Sequence, residues 1–131
     1  MLVHIEKTPQ TPGRPMTVRV DSAIGSAVVT WCGDPREADG PRYVEWTVDE
    51  SVRWGRNTRP AALPAPGIRQ EAALVVLRGR LSLTEDGAAV LELGDTHVLF
   101  DLDGPAPGGI DGTWVEVRVE PDRVSLYPYE L

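Results

Sequence analysis

The chain has 131 residues, 41% of them hydrophobic and 25% charged, with a net charge of −7. That length suits one ordinary domain able to bury about two-thirds of its unfolded surface, and the negative charge sets the whole-molecule field against nucleic acid and anionic membrane. A single cysteine, Cys32, excludes an intramolecular disulfide, and no Cys/His grouping has the spacing of a zinc site, so neither a metal nor a cofactor is expected.

The first residues, MLVHIEKTPQ, lack the basic and apolar regions of a signal peptide, and no apolar run approaches the roughly 20 residues of a membrane span. The expectation is a soluble protein of the reducing cytoplasm. Charge is uneven along the chain: residues 1–59 hold eight acidic and eight basic side chains, and the excess negative charge lies after Pro60, where twelve carboxylates face five arginines. Lys7 is the only lysine. With so much Ala, Gly, Pro and Val, the arginine usage points to a GC-rich coding sequence and is no signal of recognition by itself.

In chain order, Val3 and Ile5 alternate with His4 and Glu6 as a first strand at a sheet edge. Thr8 to Pro15, with three prolines, cannot pair regularly and forms an arm. Met16 to Asp21 and Ser26 to Trp31 alternate on either side of a turn and read as a hairpin. CGDPREADGP, from Cys32 to Pro41, is a polar loop. Arg42 to Asp49 alternates again, and Val52-Arg53-Trp54 follows as its hairpin partner.

Asn57 to Gly67 carries Pro60, Pro64 and Pro66 and reads as an extended connector, the one credible boundary. Residues 68–78 admit two readings. Gln70 to Leu74 followed by Gly79 resembles a short helix with a glycine stop, whereas Val75, Leu77, Gly79, Leu81 and Leu83 continue one face of a strand from Ala73 to Thr84. The strand is preferred for its unbroken face.

Leu77 to Leu102 then writes out a β-meander broken at Glu85-Asp86-Gly87 and Gly94-Asp95. A two-residue loop at Gly94-Asp95 sets Leu93 opposite Thr96, Glu92 opposite His97, Leu91 opposite Val98 and Ala89 opposite Phe100. After the Gly/Pro loop Asp103 to Gly112, Val115, Val117 and Val119 share one face, and Pro121-Asp122 turns the chain back so that Val119 meets Val124 and Val117 meets Leu126. Tyr129-Glu130-Leu131 is left as a tail.

Eight or nine short strands with close turn signals specify an all-β protein, a small antiparallel barrel or sandwich. Chain 1–131 is expected to be one domain, with a possible subdivision into N-terminal hairpins (1–59), a proline connector (60–72) and a small barrel (73–131). In that last part a long strand with an internal glycine, a hairpinned pair and two further strands are similar to an OB-fold in order and number. Pro105, Pro107, Gly108 and Gly109 stand where that architecture usually carries a helix.

Few side chains offer chemistry. His97 opposite Glu92 invites a general-base reading, but no nucleophile is tied to the pair and a cross-strand charge pair explains it. Cys32 sits near Asp34 and Glu37, which disfavour a thiolate. Asp101, Asp103 and Asp111 lack the spacing and closing glutamate of a calcium loop. No phosphate loop, nucleophile elbow or metal pair is present, so an enzyme is not expected. The candidate binding residues are Arg42, Arg53, Trp54, Arg56, Arg59 and Trp114, because Arg and Trp are the commonest interface anchors. Trp46 shares a face with Val44 and Val48 and belongs to the core, and Trp114 is expected to be covered by the N-terminal half. The functional expectation is a non-enzymatic accessory module that binds a protein partner or self-associates, an immunity-like protein being one form. A nucleic-acid or oligosaccharide binder of OB type is the alternative, opposed for nucleic acid by the acidity of residues 73–131.

Overall fold

A computed structural model describes residues 1–129; the tail residues Glu130 and Leu131 lie outside the described residues. Twelve strands follow one another: β1 (Leu2–Lys7), β2 (Thr17–Ser22), β3 (Gly25–Trp31), β4 (Gly40–Val48), β5 (Ser51–Val52), β6 (Thr58–Pro60), β7 (Gly67–Glu71), β8 (Leu74–Leu83), β9 (Ala88–Leu93), β10 (Thr96–Leu102), β11 (Trp114–Val119) and β12 (Val124–Pro128). Single 3₁₀ turns at Pro35–Glu37 and Pro121–Arg123 are the only helical elements among the described residues.

Five strands close a barrel. β1 pairs antiparallel with β2, β2 with β3, and β1 on its other side with β4. β12 then fits between β4, antiparallel, and β3, parallel, completing the ring. The small all-β barrel expected from the sequence is therefore present, but its members are residues 2–48 and 124–128, and among the described residues no ring closes after residue 73. β1 is paired on both sides, which corrects its reading as an edge strand.

The remaining strands form a sheet that continues from the barrel through β7, which meets β3 at the single pair Gly25–Ile68. β7, β8, β9 and β10 run antiparallel in order, and the predicted meander register holds pair by pair, including His97–Glu92 and Phe100–Ala89. β11 lies along the other side of β8 and carries β6 on its outer edge.

Residues 68–78 are neither a helix nor one continuous strand. They make the β7–β8 hairpin, turning at Ala72, whose φ of 54° is the one positive value outside glycine among the described residues. The preferred strand from Ala73 is present as β8. Two predicted hairpins are replaced by longer-range pairing. β5 pairs in parallel with β10 and not with β4. Arg123 N donates to Glu120 O as a turn there requires, yet the 3₁₀ geometry sends β11 to β8 and β12 into the barrel, so Val119 faces Val75 and Leu126 faces Trp46.

The alternation along each strand explains the core. Val3, Ile5, Val18, Val20, Val44 and Trp46 from the barrel strands and Leu77, Leu81, Leu91, Phe100, Val115 and Val117 from the sheet belong to one contiguous apolar cluster. No helix is long and apolar enough to cross a membrane among the described residues.

Candidate binding surface

Residues 53–58 form a compact turn. Gly55 N donates to Thr58 O, Arg56 N and Asn57 N donate to Arg53 O, and Asn57 Oδ1 accepts from Arg53 N at 2.8 Å. Arg53 is consumed by structure: its Nε donates to Asp103 at 2.9 Å and its Nη1 to Glu50 at 2.5 Å. The Ser51 amide and Arg53 together hold the Glu50 carboxyl below its ordinary value. Trp54 is partly buried and packs against the core beneath the Asp103–Ile110 loop. Arg56 is exposed, and no carboxylate among the described residues comes within ion-pair distance of it.

This turn adjoins the outer face of β6–β11–β8–β7, because Arg118 N donates to Asn57 O at 2.7 Å. Cross-strand register puts Arg59, Glu116, Arg78 and Gly67 in one row, and Arg118, Val76 and Arg69 in the next. Trp114 and Arg80 form a third row. The inner residues of these strands, Val115, Val117, Leu77 and Leu81, are core, so the pleat forces the arginines outward. Val76 is the exception: it is 1% exposed yet stands outside the core cluster, between Arg69 and Arg118 in register.

Glu116 is the hub of the face. It accepts from Arg69 at 2.6 Å and lies 3.7 Å from Arg78 and 3.5 Å from Arg118, with its side chain only 13% exposed. The Arg69 hydrogen bond above all, then the charges of Arg69, Arg118 and Arg78, holds its carboxyl below the usual range against the opposing effect of burial. Glu71 is lowered in the same way by Arg69 and Arg118. Arg78 Nε donates to Ala65 O at 2.7 Å, tying the proline connector across this face. A Cβ at Gly67 would lie 2.7 Å from the Arg78 guanidinium, which would have to shift to admit it.

Of the sequence-derived residues, Arg53, Trp54, Arg56 and Arg59 therefore sit together at the β6 margin of this face, and Trp114 sits on the face itself. Trp114 is only partly buried and does not pack against the core; its carbonyl accepts from Ala61 N at the start of the connector. It is neither the fully covered nor the freely exposed tryptophan that the alternation left open. Arg42 is elsewhere, on β4, where its Nε donates to Glu37 O at 2.8 Å and pins the 3₁₀ loop.

Sequence reasoning missed Arg69, Arg78, Arg80, Arg118 and Glu116. Alternation assigns each to the polar side of its strand, but only the β8–β11 pairing brings those sides together. The other reactive candidates are dispersed. His97 and Glu92 are both exposed on the sheet. Cys32 is exposed, and its neighbouring thiol pushes the Tyr127 hydroxyl above its ordinary value. Asp103 serves Arg53, and Asp111 Oδ1 accepts from Leu83 N at 2.9 Å, so these carboxylates act as loop fasteners. No cluster of three or more metal-ligating side chains occurs among the described residues.

Compared with protein-family models, curated proteins and solved structures, the chain has no significant match.

Proposed function

We propose that this chain is a non-enzymatic accessory protein that works by binding a protein partner through the 53–59 turn and the adjoining β11 face, an immunity-like inhibitor being one form. The observation that carries the reading is the gathering of Arg56, Arg59, Arg69, Arg78 and Arg118 on one side of a chain whose net charge is −7. Arg56 and Arg59 are exposed and hold no carboxylate among the described residues, so their charge is available to a partner. Arginine beside a partly exposed tryptophan is the composition of an interface anchor. The dispersed placement of His97, Cys32 and the aspartates supports a binding role over catalysis.

The test uses the purified chain as bait in extract of its own cells. A stoichiometric protein partner is expected, and the complex should be lost for Arg56→Glu/Arg59→Glu. A bait that stays alone, or a partner indifferent to both reversals, would sink the reading.

A second reading has one specific support. The ring β1–β2–β3–β12–β4 is a closed five-stranded barrel, and its strand order supports a comparison with OB-type binders, which use the face of their second and third strands. On that face a groove runs beneath the proline arm, lined by Pro9, Arg14, Thr17, Val28, Thr30 and Pro121. Its threonines and single arginine suit an oligosaccharide better than a phosphate chain. Failure to retain the chain on immobilised glycans, with no shift of single-stranded oligonucleotide at low salt, would dispose of it.

A further inference from the structure

Beside the 53–58 turn, Arg53, Arg56, Asn57 and Arg118 line a shallow cleft with Leu74 and Val119. Arg53 is already bound to Glu50 and Asp103, but the other two arginines have donors to spare. Arg118 is the unusual one. Its side chain is only 18% exposed, its carboxylate contacts are long, 3.6 Å to Glu71 and 3.5 Å to Glu116, and its Nη1 is buried with no acceptor among the described residues. A guanidinium carries five donors; Nη1 is sealed from solvent, so a ligand meets Arg118 on the exposed part of its side chain. Glu116 cannot turn further toward it, because Arg69 holds Glu116 at 2.6 Å. Arg56, across the cleft, has no carboxylate at all among the described residues.

We infer that this cleft receives a carboxylate side chain of the protein partner, bridged between Arg56 and Arg118; the inference rests on the protein-binding reading above and names the chemistry of the contact. A carboxylate has two oxygens, one for each guanidinium, and charge-assisted bonds of this kind are the strong ones. The rim decides what surrounds that carboxylate. Glu50 and Glu120 border the cleft, and Glu120, exposed, has no cation within ion-pair distance among the described residues. A polyanion such as nucleic acid would bring further phosphates against these carboxylates, with a whole-molecule charge of −7 behind them. The complementary surface is an acidic residue with a basic neighbour, which fills the positive centre and answers Glu120 at the rim.

The experiment follows the side-chain Nε–Hε resonances of the arginines and the Asn57 amide in the ¹⁵N-labelled chain. Four probes are titrated separately: a capped Glu-Gly-Lys peptide, its Gln-Gly-Lys counterpart, inorganic phosphate and an eight-residue oligothymidylate. The glutamate peptide should produce saturable shifts at Arg56 and Arg118. The glutamine peptide should produce none, and binding should weaken about tenfold in Arg56→Gln, the loss of one charge-assisted contact. Arg14→Gln, distant in the proline arm, should bind as the unaltered chain does. Equal shifts at Arg14 and Arg36, silence at Arg118, or a stronger response to phosphate or the oligonucleotide would overturn the inference. If a partner is recovered from extract and its complex ignores Arg56→Glu but is weakened by Arg59→Glu, the carboxylate site is wrong while protein binding stands. If no partner is recovered but Arg56 and Arg118 respond selectively, the site stands and the protein-binding reading fails.

Discussion

Single residues reveal their roles here by what surrounds them. Glu116, one carboxylate amid Arg69, Arg78 and Arg118, neutralises a cluster that would otherwise repel itself. Glu116→Gln should cost about 1–3 kcal/mol at neutral pH, because it leaves Arg78 and Arg118, both mostly buried, short of charge compensation. The pH dependence has a definite sign. The folded carboxyl titrates below its unfolded value, so its contribution is complete above the unfolded value and is lost as pH falls through the folded one. Urea unfolding of the two proteins should therefore differ most at pH 7 and converge in acid; a constant gap would assign the loss to packing. Ala72 makes the opposite kind of prediction. Its φ of 54° is a conformation that costs an L-residue about 1 kcal/mol or more and glycine nothing. Ala72→Gly should raise the melting temperature by a few degrees, and a lower one would show that the alanine methyl packs usefully in the turn. Alanine is also why this turn is illegible in the sequence: Gln70-Glu71-Ala72-Ala73 carries helix formers where a hairpin turn calls for glycine or asparagine.

At the scale of elements, β8 organises the sheet because it exchanges partners along its length. Through Arg78 it pairs with β7, from Arg80 onward with β9, and it holds β11 throughout its middle on the other side. The exchange falls at Gly79, where a Cβ would lie 2.3 Å from the Glu92 carbonyl oxygen and 3.0 Å from Leu91. That approach is to backbone, which cannot swing away. Gly79→Ala should cost about 3 kcal/mol and loosen the β8–β9 ladder, visible as faster amide exchange at Ser82 and Val90, since the Leu81 amide donates to Thr113 O on the β11 side. Unchanged protection there would mean the strands have room to part. The Gly94-Asp95 hairpin shows the contrary case, in which local signals suffice: a two-residue loop leaves little freedom of register, and the pairing of Leu93 with Thr96 fixes the rest. Pro121-Asp122 has turn chemistry as clear, yet its strands part company. A turn constrains the direction of the chain for a few residues, and what Val124 and Leu126 bury against decides the rest.

For the whole molecule, the closing strand matters most. β12 comes from the last residues of the chain and seals a barrel made otherwise from the first forty-eight, with Val124 and Leu126 fully buried. Any cut between the N-terminal strands and the rest leaves β3 and β4 with open edges. Truncation after Asp122 should therefore abolish the dispersed amide spectrum and near-ultraviolet dichroism of the folded chain, and a 1–59 fragment should fail to fold alone. A folded fragment would show that the ring is closed by something other than β12. The same long-range pairing predicts slow folding, on the millisecond-to-second scale typical of β-proteins dominated by non-local contacts.

The sequence by itself determined which face of each strand is buried, because period-two alternation of Val, Leu, Ile and Trp leaves no second way to hide them, and it determined the turns wherever Gly, Asp or Pro enforced backbone geometry. From those constraints the all-β class, the meander register and the core places of Trp46 and Phe100 could be read. The tertiary structure alone decided which strands lie side by side. Cross-strand preferences are worth only about 0.2–1 kcal/mol per pair, too little for sequence to choose among a dozen similar edges, whereas closing the barrel and burying its core act on all of them together. The arginine face depends on that choice. Arg59, Arg78 and Arg118 are spread over sixty residues of chain, and only the pairing of β6, β11 and β8 sets them around Glu116.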